Sequence, residues 1–183
     1  DILNELACLY LVEEINSQDK GKLIHLKYLP ETQEEIDSYF YSAESMLLKK
    51  QRLRPWKVAM KTIVESCKEP SDIVAKKVNF YSELEKLGIE FQEFDLDIKE
   101  YGEFNIEDQG VVEELKEFSK SNKREFDEDT CYQFFRIFTK VNYFRKGKNN
   151  KPFEKIGHIF ITDSSFGKYL GHNNNVKFEN SDA

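Results

Sequence analysis

The sequence predicts a helix-rich α/β fold in which a small, mainly parallel sheet is flanked by helices. Glycine and proline are scarce, at 8 and 4 of 183 residues, whereas phenylalanine and tyrosine number 15 and 9. This composition favours helices over a sandwich of short strands. Residues 159–161 form an apolar run rich in β-formers, which is typical of a strand buried on both faces of a parallel sheet. Thr162 and Asp163 follow this run, at the carboxyl end where open α/β sheets bind ligands.

Composition and charge predict a single cytoplasmic domain over residues 1–183, cut from a larger protein because the chain opens in a helical pattern without an initiator Met. The three cysteines are odd in number and far apart, which fits a reducing compartment better than a disulfide framework or a zinc site. No apolar run approaches the length of a membrane-spanning helix, so we expect no membrane partner. The net charge of −7 excludes a wholly basic surface but leaves room for a local basic stripe.

The first elements are a helix, a strand and a second helix. Apolar residues at helical spacing predict the first helix, which ends at the polar loop 16–21. Residues 23–29 alternate in part and predict a strand that Pro30 closes. Thr32 and Glu35 form a capping-box pattern that predicts the start of the next helix. The apolar stripe of this helix consists of Ile36, Phe40, Ala43 and Leu47.

Residues 54–87 are predicted to form a helical insertion of two helices. Pro55 suits the first turn of one, while Ser71 and Asp72 suit the cap of the other, which Gly88 ends. The expected apolar positions are Trp56, Ala59, Met60, Ile63 and Val64 in the first helix, and Ile73, Val74, Val78, Tyr81, Leu84 and Leu87 in the second. Residues 89–96 largely alternate and predict a half-exposed edge strand.

The C-terminal half is predicted to contain an acidic helix over residues 105–121 and then the most apolar helix of the chain, opening at residues 127–129. Its apolar residues surround too much of the circumference for a surface helix, so we expect it to be central. They are Cys131, Phe134, Phe135, Ile137, Phe138, Val141 and Phe144. A basic loop then leads to the strand at 159–161, and residues 173–183 form a polar tail.

The candidate chemistry is acidic. Glu34 and Glu35 follow a predicted strand, as Asp163 does, so the carboxylates meet at one edge if the strands are parallel. At about 100° per residue, Glu34 lies opposite the apolar stripe of its helix and Glu35 borders it, which makes Glu35 the better candidate to face inward. Carboxylates that share a cleft repel one another, and a divalent cation such as Mg²⁺ or Mn²⁺ relieves that repulsion. Such a site can hydrolyse a phosphodiester.

A simpler explanation stays open for the acids, and another stays open for a set of basic residues. Each of these acids also lies where a helix N-terminus favours a carboxylate, so capping accounts for them without catalysis. A set of basic residues can follow the phosphates of RNA or single-stranded DNA, although loop lysines are commonly just solvated. This set consists of Arg136, Lys140, Arg145, Lys146, Lys148 and Lys151.

Other chemistries find less support. The three histidines have no partners at metal-ligand spacing, which also excludes a zinc deaminase. Ser164 and Ser165 lack the glycine-flanked turn of a hydrolase nucleophile, and no phosphate-binding glycine loop is present.

Two segments resemble the second and the last acidic segments of PIN-like nuclease domains: residues 32–36 after the first strand, and residues 159–166. The resemblance implies a doubly wound parallel sheet whose carboxyl edge binds Mg²⁺ or Mn²⁺. It matches Glu35 to the acid of the helix that follows the second strand of such domains. It matches Asp163 to the acid of their Thr-Asn-Asp or Thr-Asp turn. Asp129, or else Asp127, matches the acid that opens the long preceding helix. The motifs are short and cover well under half of the chain.

The sequence departs from such domains at its start, because they begin with an apolar strand that ends in Asp-Thr-Asn and nothing here precedes Asp1. We therefore expect this chain to be catalytically weak or inactive by itself. The alternative is a non-catalytic α/β module of a larger bacterial protein that binds a partner or nucleic acid. The separation of the Glu35 and Asp163 carboxylates distinguishes the two, since one cation bridges only groups within about twice its 2.0–2.6 Å ligand distance.

Overall fold

A computed structural model describes residues 2–18, 24–49, 58–94, 102–121, 126–152, 155–162 and 164–172. The chain divides into two compact units, Asp1–Phe94 and Asp95–Ala183, whereas the sequence predicts one domain. We call them the N-terminal and the C-terminal unit and describe each by itself. The predicted polar tail at 173–183 and the start of the predicted insertion at 54–57 lie outside the described residues.

The N-terminal unit contains four helices and two short strands among its described residues. They are α1 (Ile2–Gln18), β1 (Leu26–Tyr28), α2 (Pro30–Leu48), α3 (Val58–Val64), α4 (Pro70–Lys86) and β2 (Ile89–Phe91). In the C-terminal unit a 3₁₀ turn (Gly102–Phe104) precedes α5 (Gln109–Ser121), α6 (Glu128–Phe144) and α7 (Ser165–His172).

The two strands form a parallel ladder in which Leu26 pairs with Ile89. The backbone N–H of Gln92 donates to the Tyr28 carbonyl at 2.9 Å just beyond the paired residues. Gly88 has a φ of +71°, a conformation that glycine adopts at no steric cost and that lets the chain turn from α4 into β2. The prediction of a helix-rich α/β fold with a small parallel sheet flanked by helices is therefore confirmed.

The core of the N-terminal unit lies between α2, α3 and α4. Its buried side chains are Phe40, Ala43, Met60, Val64 and Ile73. The Lys76 ammonium of α4 donates to the Thr62, Ile63 and Glu65 carbonyls at the end of α3, which places a cation at a helix C-terminus. The predicted apolar stripe of α4 is too wide, because Val74, Val78 and Leu87 are exposed.

A polar cluster links α2 to α4. The Asp37 carboxylate accepts a hydrogen bond from the Tyr81 hydroxyl at 2.7 Å and forms an ion pair with Lys77 at 2.8 Å. Burial raises the pKa of Asp37, but the hydrogen bonds from Lys77 and Tyr81 outweigh burial, so the pKa lies below its usual value. The cluster therefore keeps a charged carboxylate between the two helices.

Two predicted helix starts are corrected. Helix α2 begins at Pro30, so Thr32 lies inside the helix and its N–H donates to the Leu29 carbonyl. The fixed φ of proline suits the first helical position, and it prevailed over the capping-box pattern. Helix α4 also begins at a proline, Pro70, and the Asp72 carboxylate accepts the backbone N–H groups of Lys68 and Glu69.

Helix α6 is the centre of the C-terminal unit, as predicted. Its buried residues Cys131 and Phe135 pack in one cluster with Ile106, Val111, Val112, Leu115 and Leu170. The Asp127 side chain caps the helix by accepting the Thr130 N–H at 3.1 Å. The predicted acidic helix begins later than expected, at Gln109, after the 3₁₀ turn.

Residues 159–161 do not form a strand, which corrects the prediction made for this run. The rings of Phe134 and Phe138 on α6 contact Phe160, whereas Ile159 and Ile161 are 50% and 82% exposed. A strand of a parallel sheet needs apolar neighbours on both faces. Here α6 covers one face only, so the alternate residues point to solvent.

Candidate functional site

The acids predicted in α2 lie at its surface. Glu34 and Glu35 are both exposed, although Glu35 was expected to face inward. The buried acid of this helix is Glu31, which is 5% exposed in the first turn. Glu31 was not among the predicted acids because the helix was expected to begin at Thr32. Pro30 is the signal that places Glu31 in the first turn, where a carboxylate is favourable.

The acids that precede α6 have different surroundings from each other. Asp127 accepts hydrogen bonds from both the backbone N–H and the hydroxyl of Thr130, the latter at 2.7 Å. These bonds to the side chain and backbone of Thr130 lower the pKa of Asp127. Asp129 is exposed in the first turn. Asp127 is thus the N-cap of α6, and a role for either acid in metal binding stays a prediction.

The acids predicted to form the metal site belong to different parts of the chain. Glu35 belongs to the N-terminal unit, Asp127 and Asp129 belong to the C-terminal unit, and Asp163 lies outside the described residues. In the part of the chain that the structure describes, no three His, Cys, Asp or Glu side chains are placed to hold a metal ion. The assignment of Mg²⁺ or Mn²⁺ therefore stays a prediction.

The predicted basic residues all belong to the C-terminal unit and are mostly at its surface. Arg136 is exposed, and Lys140 is half-buried one helical turn later on α6. Lys146, Lys148 and Lys151 are exposed in the loop that follows the helix. Residues 136–172 contain eight Lys or Arg and two Asp or Glu, in a chain whose net charge is −7. This stretch is therefore strongly basic although the protein is acidic.

Arg145 differs from the other basic residues, because its guanidinium is engaged within the unit. Its Nε donates to the His158 carbonyl at 2.8 Å, and its Nη1 donates to Asn149 Oδ1 at 3.2 Å. Burial lowers the pKa of Arg145. The His158 ring stacks on Phe144 with centroids 5.2 Å apart. Arg145 therefore fastens the loop and the returning segment to the end of α6.

Two asparagines that the sequence argument missed complete this network. Asn149 Nδ2 donates to Asn142 Oδ1 at 2.8 Å, and Asn142 Nδ2 donates to the Phe104 carbonyl at 2.9 Å. Asn142 is 5% exposed. The available signal was Gly147 followed by Asn149 just after a helix, which is typical of an ordered C-terminal turn.

The loop begins with a compact turn at residues 145–149. Lys146 and Gly147 have φ values of +53° and +70°. The backbone N–H groups of residues 146 to 149 donate in order to the carbonyls of Tyr143, Asn142, Arg145 and Gly147, at 2.8 to 3.1 Å. All four amides donate to carbonyls of the turn or of α6, and the side chains of Lys146 and Lys148 are exposed.

No protein-family model, curated protein or solved structure matches the chain. None of the described helices is both long and apolar enough to cross a membrane.

Proposed function

We propose that the C-terminal unit is a non-catalytic module that binds nucleic acid through a basic surface. The basic surface is formed by Arg136, Lys140, Lys146, Lys148 and Lys151. The observation that carries the proposal is the excess of eight Lys or Arg over two Asp or Glu in residues 136–172 of an acidic chain. A basic stretch in an acidic chain favours binding of a polyanion at that stretch, because the acidic remainder of the chain repels the same ligand.

Phosphate groups are the ligand chemistry that this surface fits. An ammonium that neutralises a phosphate releases condensed counterions, so affinity falls steeply with salt. Exposed lysines need no fixed partner geometry for this contact, because each acts as a point charge. The proposed ligand is therefore RNA or single-stranded DNA, bound chiefly through its backbone.

A metal-dependent nuclease of the PIN-like class is the second candidate. It is supported by the parallel pairing of β1 with β2 and by the position of Glu34 and Glu35, which follow the carboxyl end of β1. It requires Asp163 to join Glu35 in one site. The exposed Ile159 and Ile161 weigh against a buried strand that would present Asp163.

The binding proposal is tested by fluorescence anisotropy with a labelled single-stranded RNA of about 16 nucleotides. The triple variant Lys146→Glu/Lys148→Glu/Lys151→Glu is expected to raise Kd about tenfold or more, because it replaces three attractive charges with repulsive ones. The matched control Lys49→Glu/Lys61→Glu/Lys68→Glu alters three exposed lysines of the N-terminal unit and changes the net charge by the same amount. We expect the control to bind nearly as the wild type does. Equal loss in both variants, or no binding by the wild type at about 50 mM salt, would overturn the proposal.

A further inference from the structure

We propose that the turn at residues 145–149 is a preformed phosphate-binding turn, in which Lys146 and Lys148 contact the ligand and Asn149 is a positioning residue. The inference rests on the proposed function and specifies its ligand class: the phosphodiester backbone of nucleic acid, bound without recognition of the bases. We call this segment the 145–149 turn.

The shape of the 145–149 turn is fixed by the protein itself. Of the four backbone hydrogen bonds that residues 146 to 149 donate, two join it to the last turn of α6 and two close it internally. Lys146 and Gly147 adopt left-handed conformations, which directs the chain away from the helix axis immediately after Phe144. A loop whose backbone is already ordered loses little backbone freedom when it binds, so the backbone positions of the two lysines are fixed before the ligand arrives.

The contacts available to a ligand are ammonium groups and not backbone amides. The N–H groups of residues 146 to 149 donate to carbonyls within the turn and α6, so they do not form an anion-binding concavity. Lys146 and Lys148 are exposed on either side of Gly147. Ammonium groups contact phosphates as point charges, whereas base recognition uses planar, bidentate groups. The turn therefore fits a phosphate backbone of any sequence.

Asn149 holds the turn in place without contributing charge. Its amide donates to Asn142 Oδ1 at 2.8 Å and its carbonyl oxygen accepts from Arg145 at 3.2 Å. Asn142 in turn donates to the Phe104 carbonyl, which links the turn to the segment before α5. Loss of the Asn149 side chain removes both bonds while the number of positive charges stays the same.

The test compares Asn149→Ala with Asn150→Ala, which removes the same side chain from the exposed neighbouring residue that forms none of these bonds. Kd for the labelled RNA is measured at several salt concentrations. Asn149→Ala is expected to weaken binding several-fold with an unchanged slope of log K against log salt, because the phosphate contacts persist but must be ordered on binding. Lys146→Gln is expected to reduce the slope by about 0.7, the value of one phosphate contact on a single strand. Asn150→Ala is expected to match the wild type in both.

A second variant guards against loss of folding in Asn149→Ala, and circular dichroism checks both. Gly147→Ala introduces a side chain at a φ of +70° and so strains the turn without removing a charge or an asparagine side chain. It is expected to weaken binding with the same unchanged slope. Oligomers of uridine and of adenosine are expected to bind alike.

The outcomes separate this inference from the proposed function. If the lysine variants lose affinity while Asn149→Ala and Gly147→Ala bind as the wild type does, the positioning role is wrong and the proposed function stands. A tenfold preference for one oligomer would overturn backbone recognition alone. If the lysine variants bind normally, both proposals fail.

Discussion

The position of Asp127 is explained by its role at the N-terminus of α6. Thr130 donates two hydrogen bonds to it, one from the backbone and one from the hydroxyl. Both bonds favour the ionised carboxylate, which is why the pKa of Asp127 lies below its usual value. Capping thus gives Asp127 a structural role that needs no metal.

Substitution at Asp127 separates capping from metal binding. Asp127→Asn is expected to keep the denaturation midpoint of the wild type, because asparagine caps helices as well as aspartate does. Asp127→Ala is expected to lower the midpoint at pH 7. The measurement is urea unfolding followed by circular dichroism. If Asn and Ala lower it equally, capping is not the role of the side chain.

The Asp127 cap also predicts how its contribution to stability changes with pH. The folded-state pKa of Asp127 is depressed, so its stabilisation is complete above the unfolded-state value of about 3.9 and is lost as pH falls through the folded-state pKa. The difference in midpoint between the wild type and Asp127→Ala should therefore narrow on acidification. A gap that widens below pH 4 would contradict this assignment.

Single residues were predictable from sequence where local geometry decides their role. Gly88 was expected to end a helix and does so, because its function depends only on φ. Asn149 was not foreseen, since its partners include Asn142 and, through it, Phe104, which lies 45 positions earlier in the chain. Glu31 was missed because the helix was expected to begin at Thr32, whereas it begins at Pro30.

At the scale of elements, the contact between α6 and α7 depends on two glycines with unequal surroundings. A Cβ at Gly167 would lie 2.8 Å from Phe134 Cζ, whereas a Cβ at Gly171 would lie 3.5 Å from Phe138 Cζ. The Phe134 ring also contacts Phe160 and other aromatic rings, so it has little room to move. Gly167 is therefore required by packing and Gly171 is not.

Alanine at the two glycines should act in opposite directions. Gly171→Ala is expected to raise the free energy of unfolding by up to about 1 kcal/mol, the difference in helix propensity. Gly167→Ala gains the same propensity but adds an overpacking cost of about 1–3 kcal/mol, so we expect net destabilisation. Thermal and urea unfolding of both variants provide the comparison. A Gly167→Ala protein as stable as Gly171→Ala would mean that the ring moves freely.

The elements that were predicted correctly and incorrectly differ in what surrounds them. The central position of helix α6 was predicted because its apolar residues cover more than one face of the helix. A helix of this kind must be buried, whichever elements pack around it. Residues 159–161 were predicted as a strand from their β-formers alone. Such a run forms a strand only if a neighbouring strand is present to pair with it, and the local sequence pattern does not show whether one is.

At the scale of the molecule, the predicted nuclease and the binding module make different demands. The acids predicted for the nuclease belong to both units, whereas the residues of the basic surface belong to one unit. The six basic residues were predicted from the sequence, but only the structure distinguishes Arg145, which is engaged internally, from exposed lysines such as Lys146. The basic composition of this stretch was thus predictable. Which basic residues are exposed and which are bonded within the unit was not predictable.

The isolated chain is expected to show no appreciable Mn²⁺-dependent cleavage of single-stranded RNA or DNA. The reason is that Glu35 is exposed on α2 and that the Asp127 carboxylate is engaged by Thr130 as the cap of α6. Labelled RNA incubated with the protein and Mn²⁺ and resolved on a denaturing gel provides the measurement. Robust cleavage that Asp163→Ala abolishes, and that the control Glu114→Ala at an exposed acid of α5 leaves intact, would establish the nuclease instead.

The parallel pairing of β1 with β2 also governs the order in which the N-terminal unit acquires its structure. Leu26 and Ile89 are about 60 residues apart, so their ladder forms only after the intervening chain has closed into a loop. That closure costs entropy before any strand contact compensates for it. The hydrogen bonds of α2 and α4 are local and form within about a microsecond. We therefore expect the β1–β2 ladder to form late in folding, after the local contacts of the helices.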